Sequence, residues 1–191
     1  MSGAFRCQVR LQLSDLDRDV YGQRTIVMAQ SPEEPDEHIL LRFLAHVLFY
    51  DESLVDAHGF TDIHEPDLHA LDLTGQLTLW VECGIPPMKR LSRALGKWKD
   101  ARFVVLVASQ EEALTVRDQI VAQKPRNLER LEIHCVPQVF MAWLESVGSR
   151  SMAWNATISE HTLYLDCDGQ QGEADIAQLP VLSRFDSRSA T

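Results

Sequence analysis

Basic residues are scarce in this chain: 18 lysines and arginines stand against 28 aspartates and glutamates, a formal net charge of −10. That balance excludes a global attraction for nucleic acid or anionic membrane, so any nucleic-acid role needs a local site. Cysteine is scarce too. Cys7, Cys83, Cys135 and Cys167 lie far apart and form no Cys-x-x-Cys pair. The expectation is buried, reduced thiols rather than a cysteine zinc site. No apolar run is long enough to span a bilayer, and Met1–Arg6 has no apolar signal core. A cytoplasmic protein without a membrane partner is expected. Without a secretion signal, the Asn155-Ala156-Thr157 sequon carries no weight. There is no Gly-x-Gly-x-x-Gly turn after a strand, no Gly-x-x-x-x-Gly-Lys loop and no serine in a Gly-x-Ser-x-Gly setting. Dinucleotide folds, phosphate loops and serine hydrolases are set aside on those grounds.

What is present is a core. Hydrophobic residues make up 45% of 191 positions, enough for one domain over residues 1–191, with a polar, frayed tail from 183 to 191. Phe5 to Leu13 alternates apolar and polar residues, and Tyr21 to Ala29 returns, which predicts a hairpin. Ser31 to Tyr50 predicts a helix: Ser31 and Glu34 have capping-box spacing, and Leu40, Leu41, Leu44, Val47 and Leu48 recur at helical period. Asp51 to Asp72 is acidic, histidine-rich and without period, so it is either functional or hides an element. Strands follow at Leu77–Val81, Arg102–Ala108 and Leu131–Val136. Helices follow from Pro86-Pro87 to about Lys97, from Ser109 to about Gln123, and over Pro137–Val147. Met152–Ile158 and Thr162–Asp166 close as a hairpin. This order predicts an α/β fold: a mixed β-sheet with a parallel centre and antiparallel hairpins, flanked by helices.

The chemistry concentrates between Glu65 and Arg93. Glu82 ends an apolar strand, where a charge is costly unless it is paired or holds a metal. Asp67 and Asp72 precede it by 15 and 10 residues. Two carboxylates brought together in a dry site repel, and a divalent cation relieves that repulsion. Hard oxygen ligands suit magnesium or manganese, which could activate a water against a phosphodiester. Lys89 and Arg90, in the next helix, are placed to stabilise developing negative charge. The competing reading makes Glu82 the ion-pair partner of one of these bases. Trp80 alternates with Glu82 and so shares its side of the strand. His58, His64, Glu65, Asp67 and His69 could bind zinc, but they lack helical His-Glu-x-x-His spacing, and a solvated loop is the simpler account. His134-Cys135 sits in a short apolar strand and reads as a core pair rather than a nucleophile pair. Trp80, Trp98, Trp143 and Trp154 read as core.

A resemblance adds to this. Leu16-Asp17-Arg18, Glu37 through Leu41-Arg42-Phe43-Leu44-Ala45 to Tyr50-Asp51-Glu52, Gly59-Phe60, Glu65-Pro66-Asp67, Leu79 through Glu82-Cys83-Gly84 to Pro86, and Ala153-Trp154-Asn155-Ala156-Thr157-Ile158 together resemble the YaeQ family over nearly the whole chain. That family resembles the PD-(D/E)XK nuclease superfamily in fold and has no established activity. The resemblance implies a nuclease-like core with Asp67 (or Glu65 or Asp72 in its place), Glu82 and the helix-borne Glu37 as metal ligands. The superfamily's lysine position falls on Gly84 here, and Lys89 would replace it from the helix. Two functions are expected from this point: a magnesium-dependent phosphodiesterase acting on nucleic acid through Asp67, Glu82 and Lys89, or a non-catalytic protein that keeps the fold and recognises a protein or nucleic acid.

Overall fold

The computed structural model describes residues 5–57 and 65–181. His58, His64 and the C-terminal tail lie outside the described residues. In chain order the elements are β1 Phe5–Asp15, β2 Val20–Gln30, α1 Asp36–Leu48, β3 Val55–Asp56, β4 Leu68–Leu71, β5 Leu77–Cys83, α2 Met88–Lys97, β6 Arg102–Val107, α3 Gln110–Gln123, β7 Leu131–Cys135, α4 Gln138–Val147, β8 Ser151–Ser159, β9 Thr162–Cys167, β10 Gln170–Asp175 and β11 Ala177–Leu179.

The strands expected in one mixed sheet form two. The first runs β10-β9-β8-β1-β2, with β1 and β8 parallel and the rest antiparallel. The second runs β11-β7-β6-β5-β4-β3, with β5, β6 and β7 parallel and antiparallel strands at both sides. Periodicity could not reveal the division, because the chain leaves the first sheet after β2 and returns to it only at β8. Pairing partners are a long-range property.

The layers follow from the apolar faces. One buried cluster joins the inner faces of β1, β8 and β9 (Val9, Leu11, Trp154, Leu165) through α1 and α4 to Val81 and Val104 of the second sheet. A second cluster lies on the other face of that sheet, where α2 and α3 bury Leu91, Leu95, Val116 and Ile120 against Phe103, Val105 and Ile133. Helix α1 is therefore not a surface helix with one apolar stripe. Every residue from Ile39 to Val47 is buried, including Arg42 and His46. A helix buried all round must pair any charge it carries.

Local chemistry sets the boundaries. Helix α1 starts at Asp36 behind Pro35, five residues later than the capping-box reading. Glu34 accepts from the Ser31 amide instead and makes a separate turn. In α3 the Ser109 hydroxyl does accept from the Glu112 amide, and Glu112 reaches back to the Ala108 amide. All four cysteines are free and buried. Trp80 and Trp154 are core residues, and Trp98 and Trp143 pack half-buried against it. Among the described residues no helix is long and apolar enough to cross a membrane.

A candidate functional cleft at the carboxyl end of β5

Parallel strands β5 and β6 end together, and the helices that follow each strand begin there. The amino end of α1 meets them from the other face. Ligands in open α/β sheets bind at such strand ends. Here a cleft of about 360 Å³ is lined by Glu37 and His38 of α1, Glu65, Asp67, Gly84, Arg90 and Glu112, with Leu41, Ile85 and four prolines completing its wall.

Glu82 lies at its base with no solvent exposure. Its Oε1 accepts from the Trp80 indole N–H at 2.9 Å and from Arg90 Nε at 3.0 Å, while its Oε2 pairs with Arg90 Nη2. Burial pushes this carboxyl up to about 7, against the pull of Arg90 and the Trp80 donor; Asp67 pushes the same way. Trp80 is thus a hydrogen-bond donor to Glu82 as well as its apolar neighbour.

Asp67 comes from the chain just before β4. Its Oδ2 accepts from the Cys83 amide at 2.7 Å, which ties the Glu65-Pro66-Asp67 segment to the end of β5. Its Oδ1 faces His38 Nε2 at 3.4 Å. The other ring nitrogen of His38 lies 2.6 Å from Glu34 Oε1. Burial alone would lower the His38 pKa; hydrogen bonds to Asp67 and Glu34 outweigh it and raise the pKa to about 9. His38 is therefore a cation at neutral pH. Glu34 also accepts from Arg42 Nη1 at 2.9 Å, and Arg42 Nη2 lies 3.0 Å from Asp56 Oδ1. Burial raises Asp56 to about 6, against the opposing pull of Arg42.

Gly84 has a φ of +74°, a left-handed conformation that glycine adopts without strain. A Cβ there would point at His38 Cδ2, 4.0 Å away. So the position that the nuclease resemblance assigns to lysine faces a cation from another element.

The sequence candidates separate accordingly. Glu37, Glu65 and Asp67 line the cleft, with Glu82 beneath them. Burial and the nearby carboxylates Glu112 and Glu145 raise the Glu37 carboxyl. Asp72 sits at the other end of the β4–β5 hairpin, roughly 17 Å away at 3.3 Å per residue. There it accepts from Thr74 and Gln76 and closes the turn. Lys89 is exposed on α2, outside the cleft lining, and Arg90 is the base that turns inward. His134 pairs with Glu132 at 2.8 Å and stacks edge-on against Phe49, which makes it a structural residue.

Sequence reasoning missed Glu34, His38 and Arg42. A signal was present: the three recur at intervals of four, and Arg42 is a charge amid the apolar run Ile39–Val47.

Among the described residues no three His, Cys, Asp or Glu side chains converge as a divalent ion requires. Both oxygens of Glu82 are engaged by Arg90 or Trp80, and both oxygens of Asp67 face donors. As arranged, these residues do not fit a resident magnesium or manganese.

An α/β protein with an ion-paired acidic cleft at a strand end is the class that fold and site define. The chain belongs to the YaeQ family: the family model described as YaeQ protein matches residues 3–176. It is 26% identical over 155 residues to the uncharacterized protein YaeQ of Salmonella typhi, covering 81% of this chain and 84% of that one. It is 25% identical over 166 residues to that of Escherichia coli K12, covering 87% and 90%. The crystal structure of YaeQ protein from Xanthomonas axonopodis pv. citri superposes with a TM-score of 0.81 at 26% identity, over 92% of this chain and 97% of that one. That from Pseudomonas syringae superposes at 0.80 and 28%, over 93% and 96%.

Proposed function

We propose that this chain is a non-catalytic binding protein whose acidic cleft receives a basic side chain of a protein partner. One observation carries the reading: Glu82, the carboxylate a metal mechanism would need, is fully buried and engaged by Arg90 and Trp80. The rim supplies the specificity. Glu37, Glu65, Asp67 and Glu112 outnumber His38 and Arg90, and each of those two cations already faces a carboxylate. Such a cleft repels phosphate and attracts a lysine or arginine. Four free thiols support residence in a reducing compartment such as the cytoplasm.

A second reading is a magnesium- or manganese-dependent phosphodiesterase with a PD-(D/E)XK-like core acting on nucleic acid. It is favoured by the gathering of Glu37, Glu65 and Asp67 in one cleft above Glu82, and by the push that Asp67 exerts on the Glu82 carboxyl. Under this reading Arg90, rather than Lys89, is the base nearest a bound phosphate.

Calorimetry with magnesium and manganese, together with basic and acidic peptides and single-stranded, duplex and branched DNA, separates the two. The binding reading expects metal-independent binding of the basic peptide, weakened about tenfold or more by Glu37→Gln with Glu65→Gln, since close charge pairs contribute on that scale. Metal heat abolished by Asp67→Asn, together with DNA cleavage lost in Glu82→Gln, overturns it in favour of the phosphodiesterase.

A further inference from the structure

The two sheets have four edges, and three of them are blunted. Strand β3 has two residues and β11 three. Strand β10 carries Glu173 and Asp175, and Trp143 packs so closely on Gly172 that a Cβ there would meet its ring at 2.5 Å. Short length and charge are devices by which proteins stop edge-to-edge pairing. The fourth edge, β2, is long, and its one charge is Arg24, turned to the inner face. It runs eleven residues, Val20–Gln30, without proline, lysine, aspartate or glutamate. All eleven pair with β1 in unbroken register, so no bulge turns the strand away. Among the described residues, no strand pairs with its other side.

Its inner face is already used. The Tyr50 ring lies over Gly22, Arg24 donates to the carbonyls of Asp51 and Leu54, and Ile26 and Met28 are in the core. What remains open is the backbone edge and the outer row Tyr21, Gln23, Thr25, Val27 and Ala29, in which Tyr21 and Val27 are 63% and 46% exposed.

We propose that the β2 edge pairs antiparallel with β2 of a second copy of this chain, about a two-fold axis at Thr25. Two features select a second copy. The first is charge: each copy carries −10, yet this strand carries no acid and a single base. Of the two long edges, β2 and β10, it is therefore the one along which two copies meet with less repulsion. The second is self-complementarity. With Thr25 opposite Thr25, Tyr21 faces Ala29, Gln23 faces Val27, and Val27 meets Tyr21 diagonally. Threonine pairs and aromatic–β-branched pairs are favourable cross-strand neighbours. Arg24 falls opposite Ile26 and diagonal to its own mate, roughly 7–8 Å away, with each guanidinium already donating to the carbonyls of Asp51 and Leu54. Arg10, which neighbours Thr25 on β1, would stand three strand spacings from its mate, roughly 14 Å, beyond the screening length at physiological salt.

Strand pairing over roughly 36 Å covers less than the ~1,000 Å² expected of a stable interface, so the dimer is a weak one that forms at high concentration. Sedimentation across a concentration series measures it. Thr25→Lys and Thr25→Glu each set like charges against each other on the axis, and each is expected to weaken self-association about fivefold. Mixing the two variants brings opposite charges together and restores a dimer containing one of each. Thr25 is exposed, and thermal melts check that each variant is folded. A wild-type chain that stays monomeric to millimolar concentration, or a dimer indifferent to both variants and to their mixture, overturns the proposal.

Discussion

The two sheets carry their charges in opposite ways. In the first, β1 alternates: Cys7, Val9, Leu11 and Leu13 face the core, while Arg6, Arg10 and Gln12 face water. In the second, Phe103 to Val107 is buried without a break, because α1 and α4 cover one face and α2 and α3 the other. A sheet covered on both sides keeps its charges at the strand ends, and there each needs a partner. Arg10 is a solvated charge on a wet face. Glu82 is a buried charge held by Arg90 and Trp80. The same residue classes should therefore have unequal energetic weight in the two regions.

The sharpest test removes the partner. Arg90→Ala leaves Glu82 without its cation and is expected to cost about 3–5 kcal/mol in urea unfolding at a pH well above 7, where the buried carboxyl is ionised. The loss should shrink in acid, because Glu82, already raised to about 7, takes up a proton and ceases to be an uncompensated charge. Adding Glu82→Gln to Arg90→Ala should recover part of it. Arg10→Ala on the open face should change stability by no more than about 0.5 kcal/mol. Equal costs for Arg90→Ala and Arg10→Ala would abolish the distinction between the sheets.

His38 gives the next effect in size. Its folded pKa of about 9 stands above the ordinary 6.5, so its protonated form is favoured by folding. That stability is fully present below 6.5 and is lost as pH rises through 9, by about 3 kcal/mol at the linkage limit. Unfolding curves measured across this window should show the decline in the wild type. In His38→Gln the decline should flatten, at a lower overall stability, because Glu34 and Asp67 lose a cation. A wild type whose stability is level from 6.5 to 9 would remove the charge from His38.

These residues also mark how far the sequence could be read. Alternation in Phe5–Leu13 and the apolar run Phe103–Val107 revealed strands, because burial on one face or on both leaves a local pattern. Strands β3, β4, β10 and β11 left none. Leu68–Leu71 has four residues inside an acidic stretch, and Gln170–Asp175 is mostly polar; both are strands because a neighbour supplies the hydrogen bonds. Glu82 was legible as a costly charge at a strand end. Its partner was not, since Lys89 and Arg90 differ by one helix step of about 100° and the sequence alone does not say which one faces in. His38 escaped because histidine on an apolar helix reads as core. Glu34 beside it and the approach of Asp67 from a segment 29 residues on together make it a cation.

The smallest effect separates the two neighbouring bases. On α2 the buried positions are Met88, Leu91, Ala94 and Leu95, and Lys89 lies on the exposed side. A lysine in the first turn also sits at the positive end of the helix dipole, where a cation is unfavourable. Lys89→Ala removes that charge and adds the best helix former, so it should leave stability unchanged or raise it by a few tenths of a kcal/mol, about 0.3–0.5. Arg90 occupies the same disfavoured turn, and its bidentate contact with Glu82 gives it a reason to be there. Binding of a basic peptide should likewise survive Lys89→Ala, slightly strengthened if anything by loss of a like charge near the rim. Arg90→Ala, measured in acid where the fold is retained, should alter the cleft itself. If instead Lys89→Ala abolishes binding while Arg90→Ala spares it, the cleft reads charge through the exposed base, and the inward base serves the core alone.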